Sequence, residues 1–469
     1  MFASSLNHPT QAQGRALWLV EMRALVALSA PLVATQLAQM AVLTTDVIML
    51  GRLGKDALAG SALGLTLFNF AFMFAMGPAV AVSPMIAHIL GANPKDIVGV
   101  RAVVRMGFWV VLLMALPLAV MFQFAEPILI ACGQSPSLAA AAGQFIRPLA
   151  LGLPCVLGYQ VLRNYATALR VPRAPLIVMI LTILFNAVGD YALIFGHFGL
   201  PRMGLAGSGL ASTLSYTFSF VAMVGVVQIS PTMKRYRIWR RFHRPDWTKF
   251  IEILRLGVPT GMTTLFEGGL FMASTLLMGT FGAAAVAAHQ VAINVASITF
   301  MVPLGIAQAA TVRVGLAAGG SNGLAVRRAG YCALLLSTGF MSLCGLCFAL
   351  FAPSIAALYI AGDPADNADA ILLTASFLQI AAAFQIFDGI QVTASLNLRG
   401  LKDARLPMWI AAICYWALGF PVCVILSKYF HLGGIGVWIG LATSLCTAAI
   451  AMAVRFHLLS RRRFTPLQA

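Results

Sequence analysis

Residues 57–94 read ALAGSALGLTLFNFAFMFAMGPAVAVSPMIAHILGANP and contain no Asp, Glu, Lys or Arg. A transmembrane helix needs about 20 predominantly apolar residues, so this stretch can form one long span or two short ones. Residues 268–312 are equally free of these four residue types. Because 60% of the 469 residues are hydrophobic and only 10% are charged, the bilayer rather than water is the predicted solvent of the chain.

The whole chain, including these two stretches, divides into twelve apolar segments. Each segment is long enough to cross a bilayer as a helix. We therefore predict an all-α polytopic membrane protein with twelve transmembrane helices. The segment centres lie near residues 37, 72, 113, 155, 185, 216, 268, 298, 338, 382, 415 and 444.

Basic residues alternate between the two sides of the predicted membrane. If the N-terminus is cytoplasmic, all but five of the 31 Lys and Arg residues fall on the cytoplasmic side. Arg163 is one of the residues predicted on that side. This is the positive-inside pattern of an even number of spans, with both termini in the cytoplasm. The five exceptions are Arg52, Lys55, Arg147, Arg202 and Lys428.

The net charge of +17 would suit a nucleic-acid partner in a soluble protein. Here the charge is divided among several cytoplasmic segments instead of being gathered on one face, so we expect no nucleic-acid partner. The densest group lies at 230–250, where basic and aromatic residues are interleaved. This segment either contacts anionic lipids of the cytoplasmic leaflet or is a connector that obeys the positive-inside rule.

An internal repeat organises the chain. Ser29–Pro31 aligns with Gly257–Pro259, and Leu169–Arg170 aligns with Leu398–Arg399, at an offset of about 228 residues that stays nearly constant. Because each copy holds six segments, the copies run parallel and are related by an axis along the membrane normal. We predict two pseudo-symmetric six-helix bundles. The N-lobe covers 1–228, a basic cytoplasmic linker 229–250, and the C-lobe with its basic tail 251–469.

Four of the fourteen acidic residues lie inside apolar segments. They are Asp46 and Asp190 in the first repeat, and Glu267 and Asp388 in the second. An acid at the centre of a membrane helix costs roughly 2.5–3.5 kcal/mol on insertion scales. A marginally stable protein does not carry four such residues without a use or a strong compensation.

The spacing of Asn186 and Asp190 places an amide and a carboxylate on one helix face. Desolvation and a second carboxylate nearby both favour the protonated form, as a proton relay requires. A hard cation such as sodium would use the same oxygens as ligands. In the structural alternative, each acid pairs with an arginine or caps a broken helix.

In these segments the sequence resembles the multidrug and toxic compound extrusion (MATE) family, in particular its NorM-like bacterial branch. Residues 36–51 look like the family's first helix with its single acid, Asp46. Asn186 to Asp190 looks like the Asn-x-x-x-Asp of the family's N-lobe cation site, and Ser212 stands where a hydroxyl often joins that site.

The second half carries the same resemblance. Residues 256–259 with Glu267, and then 287–294, are similar to the family's seventh and eighth helices. Asp388 in 385–389, followed by 398–400, looks like the tenth helix with its acid. Phe384 stands where some relatives carry Tyr, which removes one sodium-ligating oxygen from that position.

The resemblance implies a V-shaped pair of bundles in the bacterial inner membrane. The bundles would rock between two access states and export cationic or amphipathic drugs in exchange for H⁺ or Na⁺. We expect a functional monomer that is not an enzyme and needs no cofactor. The predicted coupling residues are Asp46, Asn186, Asp190, Ser212, Glu267 and Asp388, with Na⁺ possible at either acid pair. The predicted drug-binding residues are Gln290, Asp388 and Asp46.

Two other functions were compared with export. A flippase for lipid-linked oligosaccharides, from the same wider superfamily, should carry central basic residues for a pyrophosphate, whereas these spans carry acids. A polytopic membrane enzyme needs a convergent nucleophile and base or a set of metal ligands. The histidines are dispersed, and the Cys344-x-x-Cys347 pair has no second pair or histidine near it.

Overall fold

The computed structural model describes residues 11–360 and 368–462, and all regular secondary structure in these ranges is helical. The predicted loop acids Asp363 and Asp366 and the end of the basic tail lie outside the described residues. The helices of the first half are α1 Gln11–Gly51, α2 Lys55–Ala92, α3 Ile97–Gln123, α4 Ala125–Ala131, α5 Pro136–Ala150, α6 Leu153–Ala168, α7 Arg173–Phe195, α8 Gly204–Ile229 and the short α9 Pro231–Lys234.

The second half repeats this order of long helices. Its helices are α10 Trp247–Gly279, α11 Ala283–Gly319, α12 Gly323–Tyr359, α13 Ala368–Gly400, α14 Arg405–Ala411, α15 Phe420–Val424 and α16 Gly433–Arg462. Two π-helical stretches, Ala412–Gly419 and Ile425–Tyr429, join α14 and α15 into one apolar run from 405 to 429.

Ten of the described helical segments are long and apolar enough to cross a membrane, and the pair α5 and α6, bent by 49°, could form an eleventh span. The remaining predicted segment corresponds to α10. Glu267 and a row of threonines lower its mean hydropathy, and Gly257 and Gly261 lie in the same helix. The polar residues that weaken its membrane signal include one of the predicted functional acids.

Two large hydrophobic cores divide the helices. One is built mainly from α2, α3, α5, α6, α7 and α8, with Ile253 and Leu256 of α10 packed into it, and the other from α10 to α16. We name helices α1–α8 the N-lobe and α10–α16 the C-lobe. A smaller cluster, which includes Leu25, Leu28 and Leu32 of α1 and Ile306 and Ala310 of α11, joins the two lobes.

Glycines allow the lobes to approach closely on one side of the molecule. A Cβ atom on Gly77 of α2 would lie 2.2 Å from the Gly257 carbonyl oxygen of α10, and one on Gly319 of α11 would lie 2.1 Å from the His88 carbonyl oxygen. The opposite ends of these helices pack inside their own lobes, as Gly60 does against Ala141. The lobes therefore meet at the end nearest the chain termini and pack separately at the other end, which is the V shape that the family resemblance implies.

Candidate functional sites in the two lobes

The N-lobe acids meet where α1, α7 and α8 pack together. Asp46 lies on α1, and Asn186 and Asp190 lie one turn apart on α7. The Asp46 and Asp190 carboxyl groups are neighbours, and the Asn186 amide lies beside Asp46. Three of the predicted coupling residues thus form one polar site, although they come from segments more than 130 residues apart in the sequence.

This site is buried and its polar atoms are poorly paired. Asn186 and Asp190 have 0% exposed surface. Among the described residues, both carboxyl oxygens of Asp190 and both amide atoms of Asn186 lack a hydrogen-bond partner. Leaving a buried polar group unpaired costs about 1–3 kcal/mol. The carboxyl oxygens of this site can bind a proton, which neutralises a carboxylate. Together with the amide oxygen they can also bind a sodium ion, which prefers oxygen ligands.

The hydroxyl beside Asp190 belongs to Ser208 on α8. The predicted hydroxyl, Ser212, is buried one turn further along the same helix. Ser208 Oγ is also buried without a hydrogen-bond partner in the part of the chain that the structure describes. The i, i+4 spacing of these two serines could have indicated Ser208 from the sequence, since both lie on one face of α8.

The C-lobe acids lie on α10 and α13. Glu267 and Asp388 are close enough to interact, and Arg399 near the end of α13 also faces Glu267. No described ion pair closer than 4.0 Å includes either acid or Arg399. Asp388 is buried, and its Oδ1 atom has no hydrogen-bond partner among the described groups. The structural alternative was that each acid pairs with an arginine. Arg399 is near Glu267 but does not form a contact ion pair with it.

A tyrosine of the following π-helical stretch lies near this acid pair and was not among the predicted site residues. Tyr415, in the first π-helical stretch, interacts with both Glu267 and Asp388, and its buried hydroxyl has no described hydrogen-bond partner. Phe384 lies on α13 and packs edge-on against Phe271 at 6.2 Å. Tyr415 thus places a phenol in the neighbourhood of the acid pair, and no described hydrogen bond joins it to either acid.

Two further residues of α11 occupy different surroundings. Gln290, a predicted drug-binding residue, is exposed. His289 is fully buried, its Nε2 atom lies 3.1 Å from Thr275 Oγ1, and its ring packs edge-on against Trp438. These contacts hold the His289 ring in the C-lobe core, and its Nδ1 atom has no described hydrogen-bond partner.

Arg163 is not a loop charge, contrary to the prediction from the positive-inside pattern. It lies on α6 with 6% of its surface exposed, and its guanidinium donates to glutamine side chains of both lobes. The acceptors are Gln36 and Gln39 of α1, Gln160 of α6 and Gln308 of α11. The loop-charge rule placed Arg163 at the membrane surface because it lies one turn from the end of α6, where the lobes meet.

Similar proteins were found by sequence. The MatE family model matches residues 31–192 and 259–425. A probable multidrug resistance protein NorM of Mesorhizobium japonicum is 44% identical over 96% of both chains. Another from Brucella suis is 40% identical over 97% of both chains, and the multidrug resistance protein NorM of Burkholderia vietnamiensis is 40% identical over 92%.

Solved structures match the fold over nearly the whole chain. A eukaryotic MATE transporter has a TM-score of 0.80 at 20% identity and covers 96% of this chain and 100% of its own. A MATE structure in complex with MaL6 has a TM-score of 0.84 at 21% identity, covering 94% and 96%. These matches confirm the predicted all-α two-bundle fold.

Proposed function

From the premise that the chain belongs to the MATE family and is a multidrug efflux transporter, we propose that it is a secondary antiporter driven by H⁺ or Na⁺. Members of this family are transporters and not enzymes, and they need no cofactor. The observation that supports antiport is an acid pair in each lobe that includes a buried aspartate, Asp190 or Asp388, with carboxyl oxygens that lack a partner among the described groups.

Each site has a defined set of groups. In the N-lobe, Asp46 and Asp190 take up the cation, with Asn186, Ser208 and Ser212 supplying neutral polar atoms around them. In the C-lobe, Glu267 and Asp388 take up the cation, and Tyr415 contributes its hydroxyl. Binding a cation removes the cost of a buried negative charge. If one lobe arrangement leaves these sites better shielded from water, cation binding favours that arrangement.

The drug is a cationic or amphipathic molecule that competes with the coupling ion. Asp46 and Asp388 would attract its charge, and exposed Gln290 would hydrogen-bond it. Drug and coupling ion then favour opposite access states, because each binds one state better than the other.

The proposed orientation follows from loop charge. With both termini cytoplasmic in a bacterial inner membrane, the end where the lobes meet faces the cytoplasm, and the structure corresponds to the outward-open state. The working unit is a monomer divided into 1–228, the linker 229–250 and 251–469. A flippase is less well supported, since the buried Arg163 is enclosed by glutamine oxygens and is not free to hold a pyrophosphate.

The linker is also proposed to contact anionic lipid. It folds against α3: Arg101 Nε donates to the Tyr236 carbonyl oxygen at 2.9 Å, and Trp109 Nε1 donates to that of Phe242 at 3.2 Å. Met233, Tyr236 and Ile238 are buried in the N-lobe core. The remaining face presents six exposed cations, none of them in a described ion pair: Lys234, Arg235, Arg237, Arg240, Arg241 and Arg244.

Imposed ion gradients test the antiport proposal. Purified protein in proteoliposomes should extrude a fluorescent cationic dye when a pH gradient or a sodium gradient is applied, and should fail without a gradient. The gradient that drives efflux identifies the coupling ion. Efflux that responds to neither gradient contradicts antiport.

A further inference from the structure

Arg163 lies where the closed end of the V depends on contacts between the lobes. Its Nη2 atom donates to Gln308 Oε1 of α11 at 3.1 Å, and the same atom donates to Gln36 Oε1 of α1. Gln308 belongs to the C-lobe, whereas Gln36, Gln39 and Arg163 belong to the N-lobe. The bond to Gln308 is therefore the one contact in this set that must break when the lobes part.

We propose that Arg163 and Gln308 form a latch that sets the balance between the two access states. In the closed arrangement the Gln308 amide replaces the water that the guanidinium would otherwise bind. When the lobes separate at the cytoplasmic end, water takes the place of Gln308 and the guanidinium keeps its other amide partners. This inference rests on alternating access but not on the acid sites.

The neutral partners explain why such a latch can open. Among the described side chains, the guanidinium bonds only to amide oxygens and to no carboxylate. An arginine paired with a buried carboxylate would leave two unpaired charges when the lobes part, whereas an amide leaves only one neutral group. A hydrogen bond from a charged donor is still stronger than a neutral one. The pair is thus strong enough to favour closure and weak enough to be broken in each cycle.

The surroundings of the pair agree with this role. The interlobe hydrophobic cluster lies beside it, with Leu32 of α1 packed near Ala309 and Ala310 of α11. On α11, Gly305 lies against Val33 of α1, so closely that a Cβ there would be 2.5 Å from a valine methyl group. Parting the lobes must hydrate this apolar contact and the guanidinium together, so both oppose opening.

Cys332 provides a native reporter of opening. It lies on α12 in the interlobe cluster, has 0% exposed surface, and its Sγ atom is 4.0 Å from the Trp18 carbonyl oxygen of α1. A maleimide added from the cytoplasmic side can reach this thiol only when the lobes part. Its alkylation rate can be followed in the full-length protein by peptide mass spectrometry, with the other cysteines as internal references.

Substitutions of Gln308 should move this rate in opposite directions. Gln308→Leu removes the interlobe bond and should raise the Cys332 alkylation rate roughly tenfold, the value of one charge-assisted bond. Gln308→Glu gives Arg163 a carboxylate partner and should lower the rate by a similar factor. Gln39→Leu is the matched control, since Gln39 also accepts from Arg163, at 3.1 Å, but within the N-lobe. It should leave the rate nearly unchanged.

Arg163→Gln distinguishes the latch from a general packing effect. In that background Gln308→Glu should no longer slow alkylation, because no guanidinium remains to pair with it. Equal alkylation rates in the Gln308→Leu and Gln39→Leu proteins, each verified as folded by its thermal unfolding, would overturn the latch. The rates are measured without drug or gradient, so a failure of antiport would leave this result intact, and the reverse also holds.

Discussion

The Arg313 guanidinium of α11 donates to both carboxylate oxygens of Glu21 on α1, with Nη2 to Oε2 at 2.7 Å. This two-point ion pair crosses from the C-lobe to the N-lobe near the rim of the closed end, which faces the cytoplasm in the proposed orientation. The side chains are 18% and 11% exposed, respectively. The pair lies nearer to the rim than Arg163, so water reaches it earlier when the lobes separate.

Glu21→Gln should weaken the contact between the two lobes at the closed end. The substitution leaves a partly buried guanidinium without a carboxylate, and we expect a loss on the order of 2 kcal/mol, between exposed and fully buried pairs. Thermal unfolding in detergent measures the loss, and cytoplasmic alkylation of Cys332 measures the accompanying opening. Glu126→Gln is the matched control, since the Glu126–Arg147 pair at 2.8 Å is more exposed and lies within one lobe. An equal effect of both substitutions would contradict an interlobe role.

Asp388→Asn should abolish gradient-driven dye efflux while the protein stays folded. The amide keeps the size of the side chain but cannot take up a proton or neutralise a cation. Because it removes a buried charge, the free energy of unfolding should change by less than about 1 kcal/mol. Asp403→Asn is the control, since Asp403 is paired with Arg455 at 3.0 Å away from both acid sites. Undiminished coupled efflux in the Asp388→Asn protein would exclude this acid from coupling.

The sequence was sufficient to predict the helices, the two bundles and the four intramembrane acids. Those features depend on hydropathy and on repeat spacing, which can be read within one segment at a time. The i, i+4 spacing of Ser208 and Ser212 indicates only that both lie on one face of α8, and Tyr415 and the position of Arg163 could not be predicted in the same way. They depend on which faces of distant helices pack together, and a rule about loop charge cannot show that the end of α6 is buried between lobes.

Ser208→Ala should impair the N-lobe site more than Ser212→Ala does. Ser208 lies beside the Asp190 carboxyl, and Ser212 lies one turn further along α8. Ser208 Oγ has no described hydrogen-bond partner, so its expected contribution is a bond to the bound cation. One bond to a charged group is worth about 1.5–3 kcal/mol, so the concentration of coupling ion that gives half-maximal efflux should rise roughly tenfold or more. Efflux at graded pH or sodium concentration measures this. A larger effect of Ser212→Ala would show that Ser212, the serine predicted from the sequence, is the one that contributes to the site.

Tyr415→Phe should change the cation dependence of the C-lobe site. It removes only a hydroxyl that has no described hydrogen-bond partner, on a tyrosine that interacts electrostatically with Glu267 and Asp388. The aromatic ring and its packing remain, so stability should be preserved while half-maximal efflux requires more coupling ion. Tyr429→Phe is the control, because Tyr429 is 78% exposed. Identical cation dependence in the Tyr415→Phe and unsubstituted proteins would remove this hydroxyl from the site.

Neutralising the exposed face of the linker should remove a lipid-dependent part of the stability. The substitutions Arg235→Gln, Arg237→Gln, Arg240→Gln and Arg244→Gln leave the buried anchors Met233, Tyr236 and Ile238 in place. Each basic residue near an anionic surface contributes about 1 kcal/mol of attraction. The unsubstituted protein should therefore unfold at a higher temperature in nanodiscs with anionic lipid than in neutral ones, and the fourfold variant should lose that difference.

Changes in ionic strength and a substitution outside the linker provide the controls for this prediction. The lipid-dependent difference should shrink as ionic strength rises, because exposed charges are screened beyond about 10 Å at 0.1 M salt. Arg202→Gln on the opposite side of the membrane removes a charge without touching the linker and should leave the difference unchanged. If the fourfold variant keeps the full difference, the linker is a connector whose charge serves only topology. If the difference falls in step with the number of arginines removed, the linker face is the surface that meets the anionic leaflet.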